Sequence, residues 1–202
     1  MSAVKIAVIY YSATGTNYQM ALEAEKAAKE LGAEVRLRRV KELAPDEAIQ
    51  SNPQWKDHVQ KTAHVPVATL EDLEWADGIV FSVPTRFGNM AAQMKQFLDT
   101  AGPLWAQGKL TNKVVTAMSS AANPHGGQEA TLLSLYTMMY HWGAVVVTPG
   151  YTDEKIYAAG GNPYGTSTTA GAVSPEVLAA VRHQTARLVD ITRRVKQVPA
   201  MV

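Results

Sequence analysis

The chain has 202 residues, 47% of them hydrophobic, enough for one globular domain to bury a core without disulfide or metal staples. Lys and Arg number 19 against 18 Asp and Glu, a formal net charge of +1, so no long-range field steers the protein onto nucleic acid and a strongly acidic electron carrier is disfavoured. The absence of cysteine removes disulfides, thiolate nucleophiles, iron–sulfur clusters and thiol switches together, so any redox chemistry has to be carried by a bound cofactor.

Val4–Tyr10 reads as a mostly buried strand. It follows Met1-Ser2-Ala3 with no room for a secretory leader, and no apolar run approaches the length of a spanning helix; the expectation is a cytoplasmic protein without membrane association. Met20, Ala24, Ala27, Ala28 and Leu31 recur at intervals of three and four, one helical stripe that Gly32 stops. Glu34–Val40 alternates, with Val35 and Leu37 inward and Arg36 and Arg38 outward. The cluster Arg36, Arg38, Arg39 and Lys41 is expected to be a solvated strand edge.

Residues 44–68 have weak periodicity and prolines at 45, 53 and 66, as in an insertion or extended loop. Thr69-Leu70-Glu71-Asp72 resembles a capping box with a shorter acid, opening a short helix to Trp75. Gly78–Val83 is a buried strand that Pro84 should end. Asn89–Thr100 places Met90, Met94, Phe97 and Leu98 on one helical face; Val114–Met118 is a fourth strand, Gln128–Trp142 a long helix and Ala144–Thr148 a fifth strand. Residues 152–173 are rich in glycine and poor in aliphatics, the composition of a lid, an interface arm or a disordered stretch. Ser174-Pro175-Glu176 then supplies an N-cap, a Pro at N1 and an early acid for a helix through Leu178, Val181, Leu188, Ile191 and Val195.

This alternation predicts a single α/β domain over residues 1–202, with insertions near 44–68 and 152–173 and a parallel sheet covered on both faces. Ligands of such sheets collect beyond the carboxyl ends of the strands, where three loops carry unusual chemistry. Ser12-Ala13-Thr14-Gly15-Thr16-Asn17 offers three hydroxyls, a glycine and the N–H groups of a helix start, a cradle for a phosphate monoester. No Lys follows the glycine and no basic residue lies between Tyr10 and Met20, so this is not a Walker loop, nor does it contain G-x-G-x-x-G. A phosphate held by dipoles and hydroxyls alone points to a mononucleotide that stays bound; simple helix capping is the alternative. Pro84-Thr85-Arg86-Phe87-Gly88-Asn89-Met90 combines an aromatic surface, a glycine that lets backbone approach a flat ligand and an Arg able to stabilise developing negative charge. Ser119 to Glu129, with its hydroxyls, amides and Gly126-Gly127, suits a wall over a ring edge. Each of these two loops could equally be structural. The histidines at 58, 64, 125, 141 and 183 lack metal-ligand spacing, so no metal site is expected.

The Pro84–Met90 run, Gly126-Gly127-Gln128-Glu129, Gly150-Tyr151 and Gly161-Asn162-Pro163-Tyr164-Gly165 together resemble the WrbA family of NAD(P)H:quinone oxidoreductases, over nearly the whole chain. The resemblance implies a flavodoxin-like three-layer sandwich with a five-stranded parallel sheet of order 2-1-3-4-5. It implies bound FMN, NADH or NADPH as co-substrate, two-electron reduction of a small-molecule quinone, and a homotetramer with active sites near subunit boundaries. Ser12, Ala13, Thr14, Gly15, Thr16 and Asn17 would then cradle the phosphate, and Pro84, Thr85, Arg86, Phe87, Gly88 and Asn89 would line the isoalloxazine. Ser119, Ser120, Ala121, Ala122, Asn123, Gly126 and Gly127 would hold the other side of the ring. His141 matches a flavin-contacting histidine and is the one candidate for a catalytic proton donor, while Trp105 and Thr14 match substrate-side positions. Two departures stand out: Pro124, which lacks an N–H, interrupts a run that is rich in glycine and threonine in relatives, and Trp142 replaces a second histidine. The rival readings are a flavodoxin-like single-electron carrier, against which the near-zero charge weighs, and a non-catalytic flavin-binding regulatory protein.

Overall fold

A computed structural model describes residues 3–197. The first half of the chain forms β1 (Lys5–Tyr10), α1 (Thr16–Glu30), β2 (Glu34–Arg39), α2 (Asp46–Gln50), α3 (Pro53–Lys61), α4 (Leu70–Trp75), β3 (Gly78–Arg86), β4 (Asn89–Met90) and α5 (Ala92–Asp99). It continues with α6 (Gly102–Ala106), β5 (Val114–Ala121), α7 (Gln128–His141), β6 (Val145–Val146), α8 (Glu154–Ala158), β7 (Ser167–Thr169) and α9 (Pro175–Gln197).

The sheet runs β2-β1-β3-β5-β6 with every pair parallel, which is the expected order of the five strands. Among the described residues it has seven strands rather than five. β4 folds back antiparallel on β3, with Thr85 opposite Met90 and Arg86 opposite Asn89. β7 pairs parallel with the upper part of β5, Ser119 to Ala121, while β6 covers Val114 and Val115 at its lower end. One edge position of the sheet is thus filled twice, by two short segments of which the second lies within the 152–173 arm. Segments of two or three residues are too short to display an alternating pattern.

Alternation along the central strands feeds two cores. Ala7, Ile9, Ile79, Phe81, Val115 and Ala117 point to one face and meet Leu73 of α4, Met94 and Leu98 of α5, and Leu132, Leu135 and Met139 of α7. Ile6, Val8, Val80, Val114 and Met118 point to the other, against Met20, Ala21 and Ala24 of α1 and Val181, Leu188 and Val189 of α9. Gly32 ends α1 as expected: at φ 78 it donates to Lys29 O while Ala33 N reaches Ala28 O, a Schellman closure.

Several expectations need correction. Pro84 does not end its strand, because β3 continues to Arg86 with Pro84 opposite Ser120. Tyr11 N binds Ser82 O at the last β1 contact, so the next outward-facing position on that side is Pro84, where its missing N–H leaves no partner unsatisfied. The helix expected from Asn89 starts at Ala92 instead, since Phe87 (φ 53) and Gly88 (φ 77) first turn the chain into the β3–β4 hairpin. Residues 44–68 carry two helices, α2 and α3. The 152–173 arm is not structureless: Thr166 N donates to Gln184 Oε1 (2.7 Å), Gln184 Nε2 donates to Ala117 O (2.8 Å), and Tyr136 OH donates to Tyr164 O (2.7 Å). Buried side chains of α9 and α7 therefore hold the returning arm against β5.

Within the basic cluster, Arg36 and Arg38 are not simply solvated either. Arg36 Nη1 and Arg38 Nε both donate to Asp72 Oδ1, at 3.2 and 2.9 Å, and Arg36 also stacks 4.2 Å above the Trp75 ring. Asp72, with its side chain only 3% exposed, also closes the expected capping box with Thr69. Burial works to raise its pKa, but the Thr69 N–H, Arg38 and Arg36 outweigh burial and hold the carboxyl below the usual range. A depressed carboxyl stabilises the fold above its unfolded value, about 4, and loses that contribution as pH falls through the folded value. Asp72→Asn is expected to cost about 2 kcal/mol at neutral pH, a value tempered by the partial exposure of both guanidiniums. In urea unfolding the gap to the parent should shrink below about pH 4; a gap constant over that range would contradict the assignment.

Candidate functional site

Beyond the carboxyl ends of β1, β3 and β5 lies a cavity of about 590 Å³, within the size range of cofactor clefts. The first loop forms its floor. α1 starts behind Gly15 (φ 101) with no side-chain cap and no acid in its first turn, so its leading N–H groups and the positive end of its dipole are left for an anion. Ser12 Oγ accepts from Gly15 N at 3.0 Å, which keeps its own proton free to donate, and Thr14 is exposed at the rim.

Ala13, Thr16 and Asn17 also border the cavity, but the two polar side chains are engaged within the fold. Thr16 Oγ1 donates to Gly171 O (3.1 Å) and accepts from Gly171 N (2.9 Å), latching the end of the arm to the start of α1. Asn17, buried, donates from Nδ2 to Ser82 Oγ (3.1 Å) and accepts at Oδ1 from Ser120 Oγ (2.6 Å). This amide ties the first loop to β3 and β5.

The second loop forms one wall. Pro84, Thr85, Arg86 and Phe87 border the cavity, with Arg86 Nη1 donating to Thr85 O at 2.9 Å. Phe87, fully exposed at 106% and held at positive φ, stands at the rim; a non-glycine residue in that region costs about 1–2 kcal/mol. Asn89 faces away, accepting at Oδ1 from Met90 N and Ser134 Oγ. The third loop is the opposite wall, with Ser120, Ala121, Ala122, Asn123 and Gly126 on the cavity. Ser119 lies inside the sheet and donates to Val83 O at 2.9 Å. The run around Pro124 is braced by Asn123, whose carbonyl accepts from Gln128 Nε2 (2.8 Å) and from Gly126 N (3.1 Å).

Close backbone approach sets the shape of this end. A Cβ on Gly126 would lie 2.4 Å from Ala121 Cβ, and one on Gly127 (φ 91) would lie 2.8 Å from Gly88 Cα. The third loop therefore approaches the second only because Gly127 carries no side chain, and folds back on the end of β5 only because Gly126 carries none.

His141 and Trp105 are brought together, with Trp105 Nε1 donating to His141 O at 2.8 Å, but not at this cavity. The cavity adjoins the N-terminal end of α7 and His141 is its last residue, about 20 Å further along the helix axis. The structure adds three lining residues that residue types alone did not mark: Asn52, Trp55 and Ala170. Asn52 caps α3 by accepting from Gln54 N and Trp55 N, with Pro53 at N1; the Asn-Pro pair is the sequence signal for this helix. Trp55 is fixed by Glu42, whose carboxylate accepts from Trp55 Nε1 (3.1 Å), Tyr11 OH (2.9 Å), Gln93 Nε2 (2.7 Å) and the N–H groups of Leu43 (2.8 Å) and Ala44 (2.9 Å). Burial alone would raise the Glu42 pKa, but these donors hold it below the ordinary carboxylate range. No group of three or more His, Asp or Glu able to hold a metal occurs among the described residues.

Residues 4–155 match the profile of the family described as NADPH-dependent FMN reductase. The chain is 51% identical over 193 residues to an NAD(P)H dehydrogenase (quinone) of Deinococcus radiodurans, covering 95% of this chain and 96% of the relative. It is 41% identical over 204 residues to a protein of the same name from Methylocella silvestris, covering 95% and 98%. Among solved structures, a WrbA-like flavodoxin of Agrobacterium tumefaciens superposes with a TM-score of 0.64 at 20% identity, over 95% of this chain and 99% of that one. At that identity the likeness establishes the flavodoxin-like fold.

Proposed function

The chain belongs to the NADPH-dependent FMN reductase family, and from that premise we infer that it is an FMN-dependent NAD(P)H:quinone oxidoreductase. The observation that carries the reading is the meeting of an uncapped, acid-free helix start with two glycine-joined loops around one cavity. That geometry fits a phosphate monoester joined to a flat ring. Bound FMN supplies hydride chemistry, accepting two electrons from NADH or NADPH and passing them to a quinone.

In this reading the hydroxyls of Ser12 and Thr14 and the first N–H groups of α1 hold the phosphate. Thr16 and Asn17 act one step back, fixing the loop through the arm and through Ser82 and Ser120. Pro84 to Phe87 and Ser120 to Asn123 flank the ring, and the Arg86 cation stabilises negative charge that develops on it. Trp55 and Phe87 restrict water at the rim.

Trp105 (57% exposed) and His141 sit on a surface that also exposes Leu133 and Tyr140. The band supports assembly into a homotetramer, with Trp105 and His141 presented to a neighbouring subunit's cavity rather than to their own. No helix among the described residues is long and apolar enough to cross a membrane, and the reading places the enzyme in the cytoplasm with the nicotinamide nucleotides it consumes.

Adding FMN to the purified protein should produce a bound-flavin visible spectrum. NADH or NADPH should bleach it under anaerobic conditions, benzoquinone should restore it, and the loaded protein should sediment at four protomers. Failure to take up flavin, or a bound flavin that neither nucleotide bleaches, would refute the enzymatic reading.

A further inference from the structure

The first loop holds an anion without a basic residue between Tyr10 and Met20, although a phosphate monoester carries close to two negative charges at neutral pH. A group able to take up a positive charge nevertheless stands behind it. α3 lays Asn52 and Trp55 along the cavity and, one turn further on, brings His58 to the phosphate loop. His58 is only 8% exposed, and its Nδ1 lies 3.6 Å from the point a Cβ on Gly15 would occupy. Among the described residues neither of its ring nitrogens makes a hydrogen bond. An imidazole in that state has donor and acceptor capacity left for a partner.

Its surroundings do not supply that partner. The Tyr18 ring of α1 packs with its centroid 5.5 Å away. A small cavity of about 30 Å³ next to His58 is bordered by Tyr10, Tyr11, Ser12, Arg39, Glu42 and Thr62, room for one water. Tyr10 OH, facing the same space, is likewise without a partner. The charged neighbours are engaged elsewhere: Arg39 Nε donates to Val65 O, and Glu42 is held by its five donors. On its own helix, Asp57 pairs with Lys61.

We propose that His58 is a further phosphate-positioning residue, whose imidazolium behind the Gly15 turn supplies the positive charge that the Ser12–Asn17 loop lacks. The inference rests on the FMN reading above. Without the phosphate, burial lowers the imidazole pKa, with Asp57 opposing, so the ring is readily neutral. A phosphate arriving at the loop favours the charged form and raises it. Loading with FMN then takes up a proton, and by reciprocity the affinity falls as pH rises through the range between the two midpoints. Riboflavin has the same ring and no phosphate, so it should show neither effect.

The test follows the His58 ring by NMR as pH is varied, in protein free of flavin, loaded with FMN and loaded with riboflavin. The expected result is a midpoint raised by about one pH unit with FMN and unmoved by riboflavin, and FMN affinity about tenfold weaker in His58→Gln near pH 6 with riboflavin affinity unchanged. A His58 midpoint that FMN leaves unmoved overturns the proposal, as does a variant that weakens both flavins equally. The NMR measurement uses the unmodified protein, so it decides the matter even if the variant folds poorly. Failure to bind either flavin would instead refute the FMN reading itself.

Discussion

Gly126→Ala is expected to weaken FMN binding by about ten- to a hundredfold, the equivalent of one overpacked methyl in a rigid wall. A new Cβ would sit 2.4 Å from Ala121 Cβ and 3.1 Å from Asn123 O. Ala121 belongs to β5, the most buried strand of the sheet, and cannot yield. The loop must therefore move away from the strand end, taking Ala122 and Asn123 off the cavity. Gly127→Ala should act in the same direction and more strongly, since it adds strain at φ 91 to a 2.8 Å approach to Gly88 Cα. Gly102→Ala is the control: nothing lies within 4 Å of the new Cβ and its backbone is not left-handed, so flavin affinity should be unchanged. Titration of flavin-free protein by fluorescence quenching reads all three. Parent-like affinity in Gly126→Ala would show that the third loop does not touch the flavin.

The parts of this molecule that were legible in the sequence are those where a period repeats or where functional residues are neighbours in the chain. The alternation of strands and helices, the helical stripe of α1 ending at Gly32 and the Ser174-Pro175 start of α9 all follow from local patterns, whereas the strand order came with the family resemblance. The three loops were legible for the same reason. What was hidden depends on pairing across the fold. Pro84 stays in its strand only because β1 has already ended beside it, and β4 and β7 exist only through their partners β3 and β5. Trp55 and His58 reach the cavity and the Ser12–Asn17 loop through a helix whose position depends on Glu42, and no spacing rule reports that tertiary contact. Asn17 reads in the sequence as one more cradle residue, and the structure shows its side chain bridging Ser82 and Ser120.

Asn17→Ala is expected to lower the unfolding free energy by about 2–4 kcal/mol and to release the flavin together with it. The amide joins three elements: Nδ2 donates to Ser82 Oγ, Oδ1 accepts from Ser120 Oγ, and the backbone carbonyl of the same residue accepts from Ser82 Oγ at 2.9 Å. Ser82 and Ser120 are 0% and 3% exposed, so water replaces the lost partner poorly. The Ser120 hydroxyl would be left buried with no acceptor, which is the costly case for a deleted hydrogen bond. Ser120→Ala alone removes only one bond and should cost about 1 kcal/mol. In the double variant the orphaned hydroxyl no longer exists, so the combined loss should fall short of the sum of the single losses by about 1–2 kcal/mol. Urea unfolding of the four proteins measures that coupling. Strict additivity would mean that Asn17 does not tie the phosphate loop to β5, and the flavin loss in Asn17→Ala would then have to come from direct contact with the cofactor.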